Sequence, residues 1–121
     1  EDIRLLYRLG STDLDPKGQT IEESIELAKE LEKLGVDIID VSGNMCGSSP
    51  DSIDSEQGFF IERANKIKQH VDVPVIGVGG ITEPDFADKI IKEEKVDLVA
   101  VGREFLKNPN WATEARRSLQ S

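Results

Sequence analysis

The sequence has very little of several residue types, and each shortage excludes a class of protein. Its 121 residues include one cysteine, one methionine, one tryptophan, one tyrosine and one histidine. A lone cysteine, Cys46, excludes an internal disulfide and fits a reducing, cytoplasmic compartment. No apolar run approaches the roughly 20 residues of a membrane-spanning helix, and the first residues lack the pattern of a signal peptide.

Positive charge is also scarce, with 15 Lys and Arg residues against 24 Asp and Glu, a formal net charge of −9. Such a chain repels phosphate backbones and anionic lipids, so we expect no nucleic-acid or membrane partner. The hydrophobic fraction of 37% suffices for the core of one globular domain. Because the only methionine is Met45, we expect a processed chain or a piece of a longer one.

Four short apolar runs are predicted to form β-strands. Three of them are near-continuous Val, Ile and Leu, which predicts strands covered on both faces, as in parallel sheets. The predicted strands are residues 3–9, 36–41, 73–78 and 96–101.

Helical patterns follow each of these runs. The first predicted helix opens with a capping box at Thr20 and ends at Gly35. The second spans roughly 57–70, Thr82 is predicted to cap the third, and the last begins near Pro109.

The alternation of strands and helices predicts an α/β fold with parallel strands joined by right-handed crossovers. A (β/α)₈ TIM barrel typically needs about 250 residues, so four βα units in 121 residues predict half of one. We therefore expect a single (βα)₄ domain over residues 1–121, rather than a small doubly wound sheet, which usually has more strands. The long polar loop 43–55 leaves the second strand at its ligand-binding end.

Glycines follow the third and fourth strands, at Gly79-Gly80 and at Gly102-Arg103. Without a Cβ, such turns let backbone N–H groups approach an anion, and Arg103 adds a charge-assisted contact to phosphate oxygens. Glycines are also common in tight turns that bind nothing. Two such strand ends, one of them with an arginine, favour a phosphate site like that after strands 7 and 8 of barrels.

The stretch VPVIGVGGITEPDFADKIIKEEKVDLVAVGREFLKNPNW resembles the end of the barrel in the Old Yellow Enzyme family of FMN-dependent NAD(P)H oxidoreductases. Its last part, DLVAVGREFLKNPNW, is the most diagnostic, since other phosphate-binding barrels share the VGGI portion. Upstream, YRLGSTD and GVDIIDVSG are similar to the family's fifth and sixth strands. The resemblance maps nearly the whole chain to strands five to eight, in the bacterial enoate-reductase type.

The resemblance implies a cofactor site for FMN, with NAD(P)H as reductant. One arginine matches the residue that faces the N1 edge of the flavin, where a guanidinium stabilises the negative charge of the reduced ring. The other matches lie beside the phosphate. The implied cofactor-binding residues are Arg8, Gly79, Gly80, Gly102 and Arg103. The alternative for Arg8 is an exposed arginine paired with Asp13.

The family's substrate-binding histidine pair and tyrosine proton donor belong to the first half of its barrel. Here His70 is predicted at a helix end, and Tyr7 points away from the face that carries Arg8. Cys46 has no positive neighbour in sequence that would activate a thiol. We therefore predict no catalytic residue and no metal site in this chain.

The resemblance implies that the complete enzyme transfers a hydride from NAD(P)H through FMN to an activated alkene of an enone-type substrate. Whether this chain alone is an enzyme stays open, because the catalytic half is missing. One alternative is a non-catalytic half-barrel that binds phosphate or flavin, and another is a fragment of an aldolase or isomerase barrel. A half-barrel exposes an apolar face, so we expect a dimer or association with the missing half.

Overall fold

The computed structural model describes residues 2–13, 15, 17–43 and 57–120. Strands and helices alternate as predicted up to the fourth strand, which two helices follow where the sequence predicted one. Most of the loop 43–55, with Cys46, lies outside the described residues. In chain order the elements are β1 Leu6–Gly10, α1 Ile21–Lys33, β2 Ile38–Ser42, α2 Ile61–Lys68, β3 Val75–Gly77, α3 Pro84–Lys92, β4 Leu98–Val99, α4 Arg103–Lys107 and α5 Trp111–Gln120.

The four strands form one parallel sheet in the order β1-β2-β3-β4, which confirms the predicted parallel α/β fold. The register pairs Arg8 with Asp40, Asp40 with Ile76, and Ile76 with Leu98. Residues paired in this way lie on the same side of the sheet. One row across the sheet therefore carries a guanidinium, a carboxylate and two apolar side chains.

Among the described residues, helices cover one face of the sheet. Its residues Leu9, Ile39, Val41 and Val75 belong to the buried core, together with Ala28 of α1, Ala64 and Ile67 of α2, and Ala87 and Ile90 of α3. On the other face, which we call the open face, Leu6 is 53% exposed and Leu98 44% exposed. The prediction of strands covered on both faces is therefore wrong for this chain, because four strands do not close into a barrel.

Local capping explains where α1 begins, but not where α3 begins. In α1, Thr20 and Glu23 form the predicted capping box, and Gly35 follows the helix with φ +100°. The predicted Thr82 cap of α3 is wrong, since the N-cap residue is Glu83 and its side chain makes no capping bond. The side-chain oxygen of Gln57 instead accepts the N–H groups of Thr82 and Glu83, each at 2.9 Å.

None of the described helices is both long enough and apolar enough to cross a membrane.

Candidate functional site

The predicted phosphate turns leave two neighbouring strands at the same edge of the sheet. β3 pairs with β4 through Gly77 and Val99, and the N–H of Ala100 donates to the carbonyl of Gly77 at 2.9 Å. The turn at Gly79 begins two residues after β3, and the turn at Gly102 three residues after β4. Both turns therefore lie at the carboxyl ends of adjacent parallel strands, where α/β folds bind ligands.

The turn after β3 requires glycine for its conformation. Gly79 has φ +117° and Gly80 has φ +65°, values that other residues adopt at a cost. A Cβ on Gly79 would lie 3.0 Å from a ring carbon of Phe59 and 3.0 Å from the backbone nitrogen of Phe60. The carbonyl of Gly79 also accepts the N–H of Gly58 at 2.6 Å. The shape of this turn is thus set by packing and backbone bonding.

The turn after β4 is open. Gly102 has φ −105° and is the N-cap residue of α4, with no side-chain capping bond. A Cβ placed on it would meet no atom within 4 Å. Arg103 is exposed, and its guanidinium pairs with no carboxylate in the part of the chain that the structure describes. Because α4 has only five residues, its dipole adds little to anion binding. The turn is suitable for an anion because it offers Arg103 and an uncovered backbone.

Arg8 lies on the open face and binds Asp40 of β2. Its Nε atom donates to Oδ2 of Asp40 at 3.1 Å, and its Nη2 atom forms an ion pair with the same oxygen at 3.0 Å. The alternative pairing with Asp13 is wrong, since that carboxylate instead accepts the N–H of Gln19 at 2.8 Å. The Arg8 side chain remains 62% exposed, whereas that of Asp40 is 17% exposed. A cation on the open face thus stays accessible to a ligand.

Asp40 is not among the site residues predicted from the sequence. The residue is the one charged side chain in the strand sequence IIDVS, and carboxylates are rarely buried unless they are paired. A single charged residue in an apolar strand indicates a charged partner. A parallel register between β1 and β2 would have placed Arg8 beside it. Its Oδ1 atom is buried and has no hydrogen-bond donor among the described residues.

The structure places Tyr7 and His70 away from this arrangement. Tyr7 pairs with Ile39, a fully buried residue on the helix-covered face, as predicted from its position beside Arg8. His70 is exposed in the turn after α2. Neither side chain lies in the row of Arg8 and Asp40.

Aromatic and cationic side chains support the turn after β3. Phe59 packs edge-on against Phe60 with ring centroids 4.7 Å apart, and the Arg63 guanidinium lies 5.4 Å from the centroid of Phe60. Burial lowers the pKa of Arg63, although a guanidinium remains a cation at neutral pH. From the other side, the indole N–H of Trp111 donates to the carbonyl of Thr82 at 2.8 Å.

The residues present fit FMN. The ligand carries a dianionic phosphate and a ring at opposite ends of a ribityl chain, so its two anchors must lie on different strands. The open turn at Gly102-Arg103 is suited to the phosphate, and the exposed Arg8 guanidinium is suited to the ring edge. One anchor lies on β1 and the other lies just beyond β4, the two outer strands of the sheet, whose axes are about 14 Å apart at the usual strand spacing.

Comparison with known proteins gives matches over the whole chain. The family model described as "NADH:flavin oxidoreductase / NADH oxidase family" matches residues 1–121. The "NADH oxidase" of Thermoanaerobacter brockii is 39% identical over 124 residues, which cover 100% of this chain and 19% of that protein. The "NADPH dehydrogenase" of Geobacillus thermodenitrificans is 32% identical over 118 residues, covering 98% of this chain and 34% of that protein.

Solved structures share the fold. A 2-naphthoyl-CoA reductase in complex with 2-naphthoyl-CoA has a TM-score of 0.81 and 26% identity, covering 92% of this chain and 17% of that one. Histamine dehydrogenase from Rhizobium sp. 4-9 also has a TM-score of 0.81; at 20% identity, over 95% of this chain and 17% of that one, it supports the fold alone.

This chain spans between 19% and 34% of the length of the two curated relatives described above. With a match over all its residues and relatives above 30% identity, the chain belongs to the NADH:flavin oxidoreductase / NADH oxidase family, the FMN-dependent oxidoreductases that include the Old Yellow Enzymes and use NADH or NADPH as reductant.

Proposed function

We propose that this chain supplies the flavin-anchoring part of an NAD(P)H-dependent oxidoreductase of the ene-reductase type. The observation that carries the proposal is the sheet itself, which presents Arg8 on its open face and the Gly79 and Gly102 turns at its carboxyl edge. When bound, the cofactor supplies hydride transfer between NAD(P)H and an activated alkene of an enone-type substrate. This chain's residues hold and orient that cofactor.

Each residue has a distinct part in this proposal. The Arg103 guanidinium and the uncovered backbone at Gly102 bind the phosphate, and Gly79 and Gly80 shape the neighbouring wall. Arg8 contacts the N1 edge of the ring, where a positive charge stabilises the negative charge gained on reduction. Binding at the phosphate end positions the ring for chemistry by residues outside this chain.

We propose that β1 to β4 correspond to strands five to eight of a (β/α)₈ barrel, and that the open face pairs with the other half-barrel or with a second copy. Support comes from the sequential parallel order and the partly exposed apolar side chains Leu6 and Leu98. The lone cysteine supports a cytoplasmic location. Family membership argues against an aldolase or isomerase fragment.

A second candidate function is a non-catalytic flavin- or phosphate-binding module. It is favoured by the row that holds Arg8 and Asp40. The other two described members of that row are apolar, and a guanidinium keeps its protons at neutral pH, so the row offers no evident proton donor for catalysis. Assay of the purified chain with NADPH and a cyclic enone separates the two candidates. Turnover by the FMN-loaded chain would exclude the purely binding role.

The direct test is a titration of FMN with the purified chain, followed by quenching of flavin fluorescence, and repeated with riboflavin. Arg103→Ala should weaken FMN binding by about tenfold or more, because it removes a charged hydrogen bond. Riboflavin lacks the phosphate, so its affinity should not change. Arg117→Ala, which removes an exposed arginine of α5, is the matched control for net charge.

Two outcomes of this titration count against the proposal. Absence of saturable quenching at high micromolar concentrations of the chain would mean that it does not hold the cofactor by itself. An equal loss of FMN and riboflavin affinity in Arg103→Ala would mean that Arg103 does not bind the phosphate.

A further inference from the structure

Asp40 is an unusual carboxylate in this chain because it is mostly buried in the middle of a strand. It lies at the third position of β2, in the row that joins Arg8 to Ile76 on the open face. Its side chain is 17% exposed. A carboxylate in such a place is costly unless it is paired.

The only partner of the Asp40 side chain within the described residues is Arg8. The Nε atom of the arginine donates to Oδ2 at 3.1 Å, and Nη2 forms an ion pair with the same oxygen at 3.0 Å. The other oxygen, Oδ1, is buried and receives no hydrogen bond from the described residues. The stabilisation of this carboxylate therefore depends on one guanidinium.

Two other carboxylates beside the strands differ in this respect, because they bind the backbone. Asp37 accepts the N–H of Leu5 at 2.8 Å, and Asp97 accepts the N–H of Val75 at 2.9 Å. Both thereby secure the start of a strand. Asp40 accepts no backbone N–H among the described residues, so its one link within the sheet is the side-chain pair with Arg8 across β1 and β2.

We infer that Asp40 is a positioning residue for Arg8 and that its negative charge lowers the preference of the site for reduced flavin. This inference rests on the proposed function. A guanidinium has five N–H donors. Asp40 contacts the Nε and Nη2 atoms, which fixes the orientation of the guanidinium and leaves its other N–H groups for the ligand. The ring edge then meets an ion pair, whose field is weaker than that of an isolated cation.

Removal of the Asp40 charge should increase the preference of the site for reduced flavin. Reduction by two electrons with uptake of one proton leaves the flavin anionic, so a more positive environment favours the reduced form. Asp40→Asn keeps an oxygen that can accept from Arg8 but removes the negative charge. The variant should therefore bind reduced FMN more tightly relative to oxidised FMN. We expect the ratio of the two affinities to rise roughly two- to fivefold, the usual effect of one partly exposed charge.

The experiment measures the affinity of the chain for oxidised FMN and for dithionite-reduced FMN under anaerobic conditions. Arg8→Gln should change the ratio of the two affinities in the opposite direction. Asp37→Asn is the matched control, because it removes the same charge from a residue that binds backbone, and it should leave the ratio unchanged. Circular dichroism checks each fold, and Asp40→Ser replaces Asp40→Asn if that variant does not fold.

The possible results separate the inference from the proposed function. An unchanged ratio in Asp40→Asn, or an equal loss of both affinities, would overturn the role of Asp40 while leaving the flavin site intact. Failure of the unmodified chain to bind FMN in either redox state would overturn the proposed function, and the inference with it. A ratio that rises in Asp40→Asn and falls in Arg8→Gln would support both.

Discussion

At the scale of single residues, the two glycine turns are built differently although they look alike in sequence. Gly79 has φ +117°, and an added Cβ would lie 3.0 Å from its neighbours, whereas Gly102 has φ −105° and open space around it. Glycine is therefore needed for backbone conformation at Gly79. At Gly102, the absence of a side chain leaves the backbone uncovered.

This difference predicts opposite effects of alanine on stability. Gly79→Ala should lower the free energy of unfolding by about 1–3 kcal/mol, the usual cost of a strained backbone conformation. Gly102→Ala should change it by less than about 1 kcal/mol, or raise it, because a compatible alanine restricts the unfolded chain. Urea unfolding of both variants measures the difference. Equal destabilisation by the two substitutions would contradict the assigned backbone roles.

At the scale of elements, the turn after β3 is held between two segments that are distant in sequence. Gln57 caps the backbone N–H groups of Thr82 and Glu83, and Gly58 donates to the carbonyl of Gly79. On the other side, Trp111 of α5 donates to the carbonyl of Thr82. The candidate phosphate wall is thus positioned by side chains and backbone from outside its own βα unit.

We expect Gln57→Leu to destabilise the chain by about 1–2 kcal/mol, since it removes two hydrogen bonds to partly exposed N–H groups. Gln57→Glu is the matched control. Its carboxylate can still accept both bonds and is favourable at a helix N-terminus, so it should keep the stability of the parent. Thermal unfolding of the two variants checks this. A loss of similar size in Gln57→Glu would mean that the capping contact is not what matters.

Carboxylates accept backbone N–H groups at the amino ends of β1 and β3. The carboxylate of Asp37 accepts the N–H of Leu5 just before β1, that of Asp97 accepts the N–H of Val75 in β3, and that of Glu32 accepts the N–H of Val73 at 2.8 Å. Each carboxylate comes from outside the strand that it secures. The contacts that secure the strand starts therefore lie at the opposite end of the sheet from the candidate turns.

At the scale of the whole molecule, the dominant feature is a sheet with one face packed and one face open. The helix-covered face is buried, whereas Leu6 and Leu98 on the open face stay about half exposed. The same face carries the Arg8–Asp40 pair. Apolar surface of this kind usually marks an interface, which is the physical ground for the proposed partner.

The open face predicts concentration-dependent association. In sedimentation velocity the chain should form dimers or larger species as its concentration rises, because association removes Leu98 and its neighbours from water. Leu98→Lys should shift the equilibrium toward monomer, while Leu34→Lys, at an exposed position after α1, should not. A chain that stays monomeric at every concentration would count against the half-barrel proposal.

Local sequence features predicted the order and type of the elements as far as β4, and the position of the candidate turns. Apolar runs, the Thr20 capping box and Gly35 are local features, and local interactions decide where helices and strands form. The side of the strand on which Tyr7 lies followed from the two-residue repeat of a strand. The family followed from motifs that the matched family model covers.

The contacts between residues distant in sequence depend on the tertiary structure and were not predicted. Arg8 pairs with Asp40 and not with Asp13, Gln57 and not Thr82 caps α3, and one face of the sheet stays open. Each of these contacts depends on strand register or on packing between segments 25 to 32 residues apart. Such contacts cannot be predicted from spacing along the chain, because they depend on how all the elements pack and hydrogen-bond together.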